Sequence, residues 1–243
     1  MVESRLPRFY APAIDGVLAE LPADEAHHLT RVLRLGDGDD VAVFDGRGSE
    51  WRGRVERAGR AVRVRLVERV TPAAEPRVAL TLAQAILKGD GMDAVVRDAT
   101  MLGVAAIQPL VTRRTIARAN AARAESARER WRRIAIASAK QCRRAVVPAI
   151  HRPLAFETLL AGVENGIMLI EPDAPGASAR NEHPARANQA VLIVGPEGGW
   201  DELEVAAGLR AGCAPMTLGA LTLRAETAPV VAISVLRGRW GDF

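Results

Sequence analysis

From residue 41 to 67, in VAVFDGRGSEWRGRVERAGRAVRVRLV, apolar and polar positions alternate with a period of two. That period sends successive side chains to opposite faces of a strand, so the stretch reads as half-buried β-structure. Asp45-Gly46 and Gly59-Arg60 supply turn chemistry between the runs, which predicts an antiparallel meander and hence a small β-barrel or sheet domain. Ahead of it Asp24 is placed to cap a short helix. Its apolar side is Leu29, Val32 and Leu33, and its opposite face carries His27, Arg31 and Arg34 at i, i+4 and i+7.

The pattern changes at the proline-marked segment TPAAEP, 71–76, which reads as a linker. Beyond it, short apolar runs at 78–83, 104–111, 166–170, 191–194 and 216–218 alternate with segments of helical period. Residues 91–102 put Met92, Val95, Val96 and Ala99 on one helix face, with Gly103 as the stop. A long helix is expected over 124–145, with Arg130, Arg133, Lys140 and Arg144 on one side and Trp131, Ile134 and Ala135 elsewhere. Strands alternating with helices predict an α/β domain, a mostly parallel sheet covered on both faces. The expected division is 1–72 and 73–243, with a polar loop over 173–189.

Charge sharpens this picture. The net charge of +4 is mild, but residues 113–152 hold twelve Lys and Arg against two Glu, a local +10. Residues 153–243 hold six against eleven, a local −5. A concentrated basic window is the footprint of a polyanion-binding face or of a solvated arginine-rich helix. Phosphate contacts are assigned to Arg113, Arg114, Arg143 and Arg144, with Arg8, Arg31 and Arg34 from the first domain and Lys88 beside them. Cys142 and Cys213 stand far apart and the four histidines lack metal-ligand spacing, so neither a disulfide framework nor a metal is expected. With no run near the roughly 20 apolar residues of a membrane span, and no apolar core behind the N-terminal charges, a cytoplasmic protein with no membrane partner is expected.

The strongest candidate chemistry sits in LIVGPEGGWDELE, 192–204. A strand gives way to a glycine loop that carries one acid but no lysine, so it is neither a Walker loop nor G-x-G-x-x-G. Asp201 and Glu204 form a capping-box pattern that occupies the next helix's own donors. A phosphate is disfavoured there; a neutral or cationic ligand such as a nucleoside with a positive centre suits the loop, and a tight turn with no ligand is the competing reading. A second strand end, LGALTLRAETA at 218–228, presents Arg224, Glu226 and Thr227 before an apolar helix. Glu226 or Thr227 is placed to cap that helix.

GPEGG after a strand, followed by LG-x-x-x-LR-x-ETA, resembles the SPOUT (trefoil-knotted) methyltransferases. With PRFY at 7–10, HHLTRVLRL at 27–35, the segment 88–93, LGVAAIQPLVTRRT at 102–115, ERWRRI at 129–134, QCRR with VVP across 141–148 and the final RWGDF, the chain resembles more narrowly the 16S ribosomal RNA (uracil-N3) methyltransferase family. The resemblance implies a small N-terminal PUA-like β-barrel, a C-terminal SPOUT trefoil-knot parallel-sheet domain, a homodimer, and S-adenosylmethionine as cofactor. It implies as substrate a uridine near the decoding region of 16S rRNA, modified on the 30S subunit. Carried over residue by residue, the cofactor pocket uses Leu169, Ile170 and Glu171, then Gly195, Pro196, Glu197, Gly198 and Gly199. From the second strand end it takes Leu218, Gly219, Leu223, Arg224, Glu226 and Thr227. Leu221 stands where the family often has a basic residue, Met101 where it has glutamate and Cys142 where serine is common. An RNA contact at 221 and a polar role at 101 are therefore not carried over.

Methyl transfer to uracil N3 requires an unpaired or flipped base and a group that stabilises charge spreading onto O2 and O4. Arg224 is the candidate for that electrostatic role and Glu226 the candidate base. Two rivals are a catalytically idle RNA-binding protein and a SPOUT enzyme acting on tRNA.

Overall fold

The computed structural model describes residues 6–58, 61–115, 121–174 and 187–242. The chain divides into two compact units, one of residues 1–75 with 136–147, the other of residues 76–135 with 148–243.

In the first unit, strands β1 (Arg8–Tyr10), β2 (Ala13–Asp15), β3 (Leu18–Glu20), β4 (Asp40–Phe44), β5 (Glu50–Ala58) and β6 (Ala61–Val70) make one curled sheet, in the order β1-β4-β5-β6-β3-β2. The β4–β5–β6 meander is antiparallel, as its alternation predicts, and β1 adds in parallel to β4. One set of alternate residues, including Val41, Val43, Val55, Val62 and Val64, is buried with Phe9 and Leu29. The register shifts between Arg52 and Gly53. A Cβ at Gly53 would lie 2.5 Å from the Arg65 carbonyl oxygen, so the bulge requires glycine. The Asp45-Gly46 turn closes on itself, with Asp45 Oδ1 accepting the Arg47 and Ser49 amides; Gly59-Arg60 lies outside the described residues.

Helix α1 (Ala23–His27) begins after Pro22 at the N-cap, so Asp24 sits in the first turn rather than capping. The chain then widens into a π-helical turn, His28–Val32. A wider turn breaks the 3.6-residue spacing on which the apolar stripe was read: Leu29 is buried, while Val32 is 59% exposed and Leu33 also faces out. His27, Arg31 and Arg34 are all exposed, but Arg34, at φ +56°, lies beyond the helical stretch and does not continue a ridge.

Residues 136–147 complete this unit. Tyr10 and Phe44 form a cluster with Ala139 and Ala145, joined by Ile136 and Val147. Around it lie three ion pairs: Lys140 to Glu25 at 2.7 Å, Arg144 to Glu75 at 2.6 Å, and Arg8 to Glu50 at 2.9 Å. Arg8 also donates to the Ala139 and Arg144 carbonyls and lies 3.9 Å above the Phe44 ring. Arg8 and Arg144, expected on the RNA face, are thus held inside the unit by carboxylates distant in sequence. Lys140 is half-buried for the same reason.

The second unit is a parallel sheet of β7 (Ala79–Ala85), β8 (Ala106–Val111), β9 (Ala149–Ile150), β10 (Leu154–Ala155), β11 (Gly166–Leu169), β12 (Gln189–Val194) and β13 (Ala214–Met216). Their order is β10-β8-β7-β12-β11-β13, with β9 also paired to β8. β13 ends at Met216, two residues before the end of the apolar run read from the sequence. Helix α2 (Gly91–Met101) buries Met92, Val95, Val96 and Ala99 and stops at Gly103, φ +80°, where the Val104 amide reaches the Ala99 carbonyl. Helix α3 (Ala121–Cys142) ends three residues before the predicted stop, because Arg143 turns to φ +67°. Trp131 and Ala135 are buried and Arg130 and Arg133 exposed, as the periodicity requires. Short α4 (Phe156–Leu160), α5 (Glu202–Arg210) and α6 (Ala228–Trp240) complete the unit. Arg237 on α6, fully buried, donates to the Val78 and Gly103 carbonyls and pairs with Asp242 at 3.2 Å, fastening the last turn to the sheet. Of the expected 173–189 loop, residues 175–186 lie outside the described residues.

Candidate active site

Strands β12, β11 and β13 are neighbours in one parallel sheet, so their carboxyl ends emerge side by side. Ligands bind beyond such ends because the loops there converge while the sheet beneath stays rigid. The loops following Leu169, Val194 and Met216 surround a cavity of about 310 Å³, within the range of small-molecule sites.

Most residues singled out in the sequence line this cavity: Leu169, Ile170 and Glu171 from the first loop, Gly195, Pro196, Glu197 and Gly199 from the second, and Leu218, Leu223, Arg224 and Glu226 from the third. Gly198, Gly219 and Thr227 do not line it. Gly198 instead offers its carbonyl to Arg114 Nη1 at 2.9 Å, and Gly219 serves the turn through its φ of +93°. Thr227 occupies the N-cap of α6, but no side-chain cap hydrogen bond forms there among the described residues. The capping expectation for Glu226 or Thr227 therefore fails, and Glu226 turns to the cavity. The sequence reading missed Pro172, Val194, Trp200, Leu221 and Thr222 as lining residues. Trp200 had a signal: a large aromatic directly after a glycine loop, in a chain with four tryptophans.

Trp200 joins two of the loops. Its indole Nε1 donates to the Leu169 carbonyl at 2.8 Å, and its ring packs on Phe156 with centroids 5.0 Å apart. The ring lies against Gly195, where a Cβ would come within 3.0 Å of it. Gly199, at φ +69°, leaves room for Glu171, whose Oε1 would be 2.5 Å from a Cβ there. On the far side of the loop Gln84 Nε2 donates to the Gly195 carbonyl and the Lys88 amide donates to Glu197 Oε1, at 3.1 and 2.7 Å. Glu197 therefore spends a carboxylate oxygen on tying its loop to the turn after β7. The capping box is present as read: Asp201 accepts the Leu203 amide and Glu204 accepts the Asp201 amide. Glu204 also accepts the Arg113 amide, and the Arg113 guanidinium reaches Asp201 at 3.5 Å.

Three carboxylates, Glu171, Glu197 and Glu226, and one guanidinium, Arg224, thus share the lining with apolar Leu169, Ile170, Leu218 and Leu223, one oxygen of Glu197 being taken up by the Lys88 amide. Arg224 is 86% exposed, and its contact with Glu226 is long, 3.9 Å. Acids set among apolar walls suit a ligand with a flat apolar ring and a cationic centre. Of the expected RNA contacts, Lys88, Arg113 and Arg114 in this unit and Arg31, Arg34 and Arg143 in the other are exposed, whereas Arg8 and Arg144 are enclosed. Among the described residues no cluster of His, Cys, Asp and Glu could hold a metal, and no helix is long and apolar enough to cross a membrane.

A curled sheet, a parallel sheet and a pocket of strand-end loops together define an RNA methyltransferase by class: residues 74–237 match the RNA methyltransferase domain and residues 21–66 the RNA methyltransferase PUA domain. A ribosomal RNA small subunit methyltransferase E of Synechocystis sp. is 36% identical over 88% of this chain and 71% of its own length, and one of Mycobacterium bovis is 32% identical over 93% and 89%. The chain belongs to the ribosomal RNA small subunit methyltransferase E family. Among solved structures, the Neisseria gonorrhoeae member bound to S-adenosyl methionine superposes with a TM-score of 0.85 at 31% identity, covering 97% of this chain and 98% of that one. A Legionella pneumophila methyltransferase in complex with bound SAM gives 0.88 at 29% identity over the same shares.

Proposed function

We propose that the chain transfers a methyl group from S-adenosylmethionine to N3 of a uridine in 16S rRNA. The observation that carries this is the pocket itself: the GPEGG and LR-x-ETA loops, on which the family resemblance rests, line one cavity together with Glu171 and an apolar wall. Those residues fit the cofactor. Leu169, Ile170, Leu218 and Leu223 would flank its base, and Glu171 and Glu226 would face its cationic groups. When bound, it supplies an electrophilic methyl on a sulfonium.

The remaining work falls to the chain's own groups. Uracil N3 carries a proton at neutral pH, and as it leaves, negative charge spreads to O2 and O4. Arg224, which lines the cavity with an exposed side chain, is the candidate to meet those oxygens. A cation near those oxygens eases loss of the N3 proton by stabilising the charge that develops there. Glu226, across 3.9 Å from Arg224, is the base candidate, or else holds the cofactor's ammonium.

RNA binding is assigned to Arg31, Arg34 and Arg143 of the first unit and to Lys88, Arg113 and Arg114 of the second, all exposed. We extend the reading to the assembled 30S subunit as substrate, to a cytoplasmic site and to a homodimer, for which the exposed Leu203 and Leu221 supply apolar surface. The test is methyl transfer from labelled S-adenosylmethionine to 30S subunits lacking the modification, free 16S rRNA and bulk tRNA in parallel. N3-methyluridine on the 30S particle alone is expected. Labelling of tRNA alone overturns the substrate but keeps the cofactor, and cofactor binding without transfer favours an idle RNA-binding protein.

A further inference from the structure

The six residues 82–87, from the end of β7 into the turn after it, are all buried, and one is polar: Gln84, with no exposed surface. Its amide nitrogen donates to two carbonyls, Ala85 and Gly195, each at 3.1 Å. Because both neighbours can only accept, the carboxamide must present its NH2 to them, so its orientation is fixed by chemistry. Among the described residues its oxygen, Oε1, finds no hydrogen-bond partner. A buried carbonyl without a donor weakens a protein, and an apolar chain of equal length would fill the same space without that penalty, giving up the two bonds that the NH2 makes to Ala85 and Gly195. Packing thus gives no reason for glutamine at this position. What the residue does do is hold one atom of the pocket loop.

That atom is the Gly195 carbonyl oxygen. Gly195 follows β12 directly and lines the cavity. The Trp200 ring presses on its Cα from one side, at a distance that a Cβ would violate, while Trp200 is itself hydrogen-bonded to Leu169 on the opposite wall. The next residue is Pro196, which has no amide hydrogen. With its carbonyl drawn to Gln84 and no amide hydrogen on Pro196, the 195–196 peptide has no N–H to offer the cavity and a carbonyl already engaged. Freed from Gln84, the same peptide can swing its carbonyl inward and narrow or polarise the cavity wall.

We propose that Gln84 is a positioning residue for the cofactor pocket, acting through the Gly195 carbonyl to set the orientation of the glycine loop; this rests on reading the pocket as the S-adenosylmethionine site. The residue does not touch the ligand. It trades stability of the sheet for a fixed loop, which lowers the cost of ordering the loop when the ligand binds.

The experiment is Q84M in the full chain, with Tm from thermal unfolding, S-adenosylmethionine affinity from titration calorimetry, and kcat at saturating cofactor and RNA. Methionine keeps the length and removes the donor. The expected result is Tm unchanged or raised, cofactor Kd weaker by about threefold to tenfold, the size of one lost neutral hydrogen bond, and kcat preserved within about twofold. An unchanged Kd overturns the proposal, as does a Kd that weakens with a parallel fall in Tm, since that is what a structural role produces. Q84L, also without a donor, is read against the same quantities if Q84M folds poorly. If the unaltered chain binds no S-adenosylmethionine, the cofactor reading fails and the proposal falls with it. If the unaltered chain binds and Q84M binds equally, the proposal alone fails.

Discussion

Arg224 and the pocket glycines are where single side chains decide the chemistry. The Arg224 side chain is 86% exposed and meets Glu226 only at a long 3.9 Å, so removing it disturbs little of the fold. R224A is therefore expected to retain Tm and cofactor affinity while kcat falls about 10²-fold, the usual loss for one stabiliser of developing charge. Single-turnover methyl transfer checks it; an unchanged rate removes Arg224 from the mechanism. Gly199 makes a different demand. Alanine there must adopt φ +69° and place its methyl 2.5 Å from Glu171 Oε1, so both backbone and neighbour must yield. G199A is expected to weaken cofactor binding by at least tenfold, about 1.4 kcal/mol, read by the same titration.

At the scale of elements, the end of α6 is held by a buried pair. Burial pushes the Asp242 carboxyl up, but hydrogen bonds from the Val78 and Arg77 backbone, together with Arg237, outweigh it and hold the group below its ordinary value. A carboxyl lowered by folding contributes stability above its unfolded pKa and loses it as pH falls through the folded one. D242A leaves Arg237 buried without its counter-charge, at a cost of about 3 kcal/mol and a Tm drop of about 6–12 °C at neutral pH. The gap between the two proteins should close in acid, as the carboxylate is titrated. A gap that persists unchanged into acid denies the ion pair its role. The element scale also shows what the sequence could reveal. The meander and α2 were legible because one face of each is buried, which forces a period. The capping box was legible because its two residues lie three apart. The outward turn of Val32 and Leu33 was hidden because a π turn leaves the 3.6 spacing without any residue type that announces it. The enclosure of Arg8 and Arg144 was hidden for another reason: their carboxylate partners, Glu50 and Glu75, stand 42 and 69 residues away. The glycine-marked loops of the pocket were readable, whereas Val194, Thr222 and Pro172 carry no mark that separates a lining residue from an ordinary one.

For the molecule as a whole, the exposed cations set the expected response to salt. If Arg31, Arg34, Lys88, Arg113, Arg114 and Arg143 each meet a phosphate, the logarithm of RNA affinity should fall against log salt with a slope of about −4 to −5. R31A/R34A should flatten it by about 1–2, measured by filter binding across a salt series. A slope near zero discards the basic face as the RNA site. The first unit carries its own expectation. Residues 1–75 expressed alone lack Ala139, Ala145 and Val147 against Tyr10 and Phe44, and leave Glu25 and Glu75 without Lys140 and Arg144. That fragment should show no cooperative thermal transition; a sharp one means that the returning segment is dispensable.

The same discontinuity has a consequence in time. A nascent chain leaves its own ribosome N-terminus first, and a contiguous domain folds as it emerges. Here the curled sheet must wait until residue 147 has been made, so β7, β8 and all of α3 are in existence before it is finished. At about 5–20 residues per second the delay is roughly 4–14 seconds. During it the newborn sheet carries an uncovered apolar patch around Tyr10 and Phe44, the interval in which a chaperone would find it.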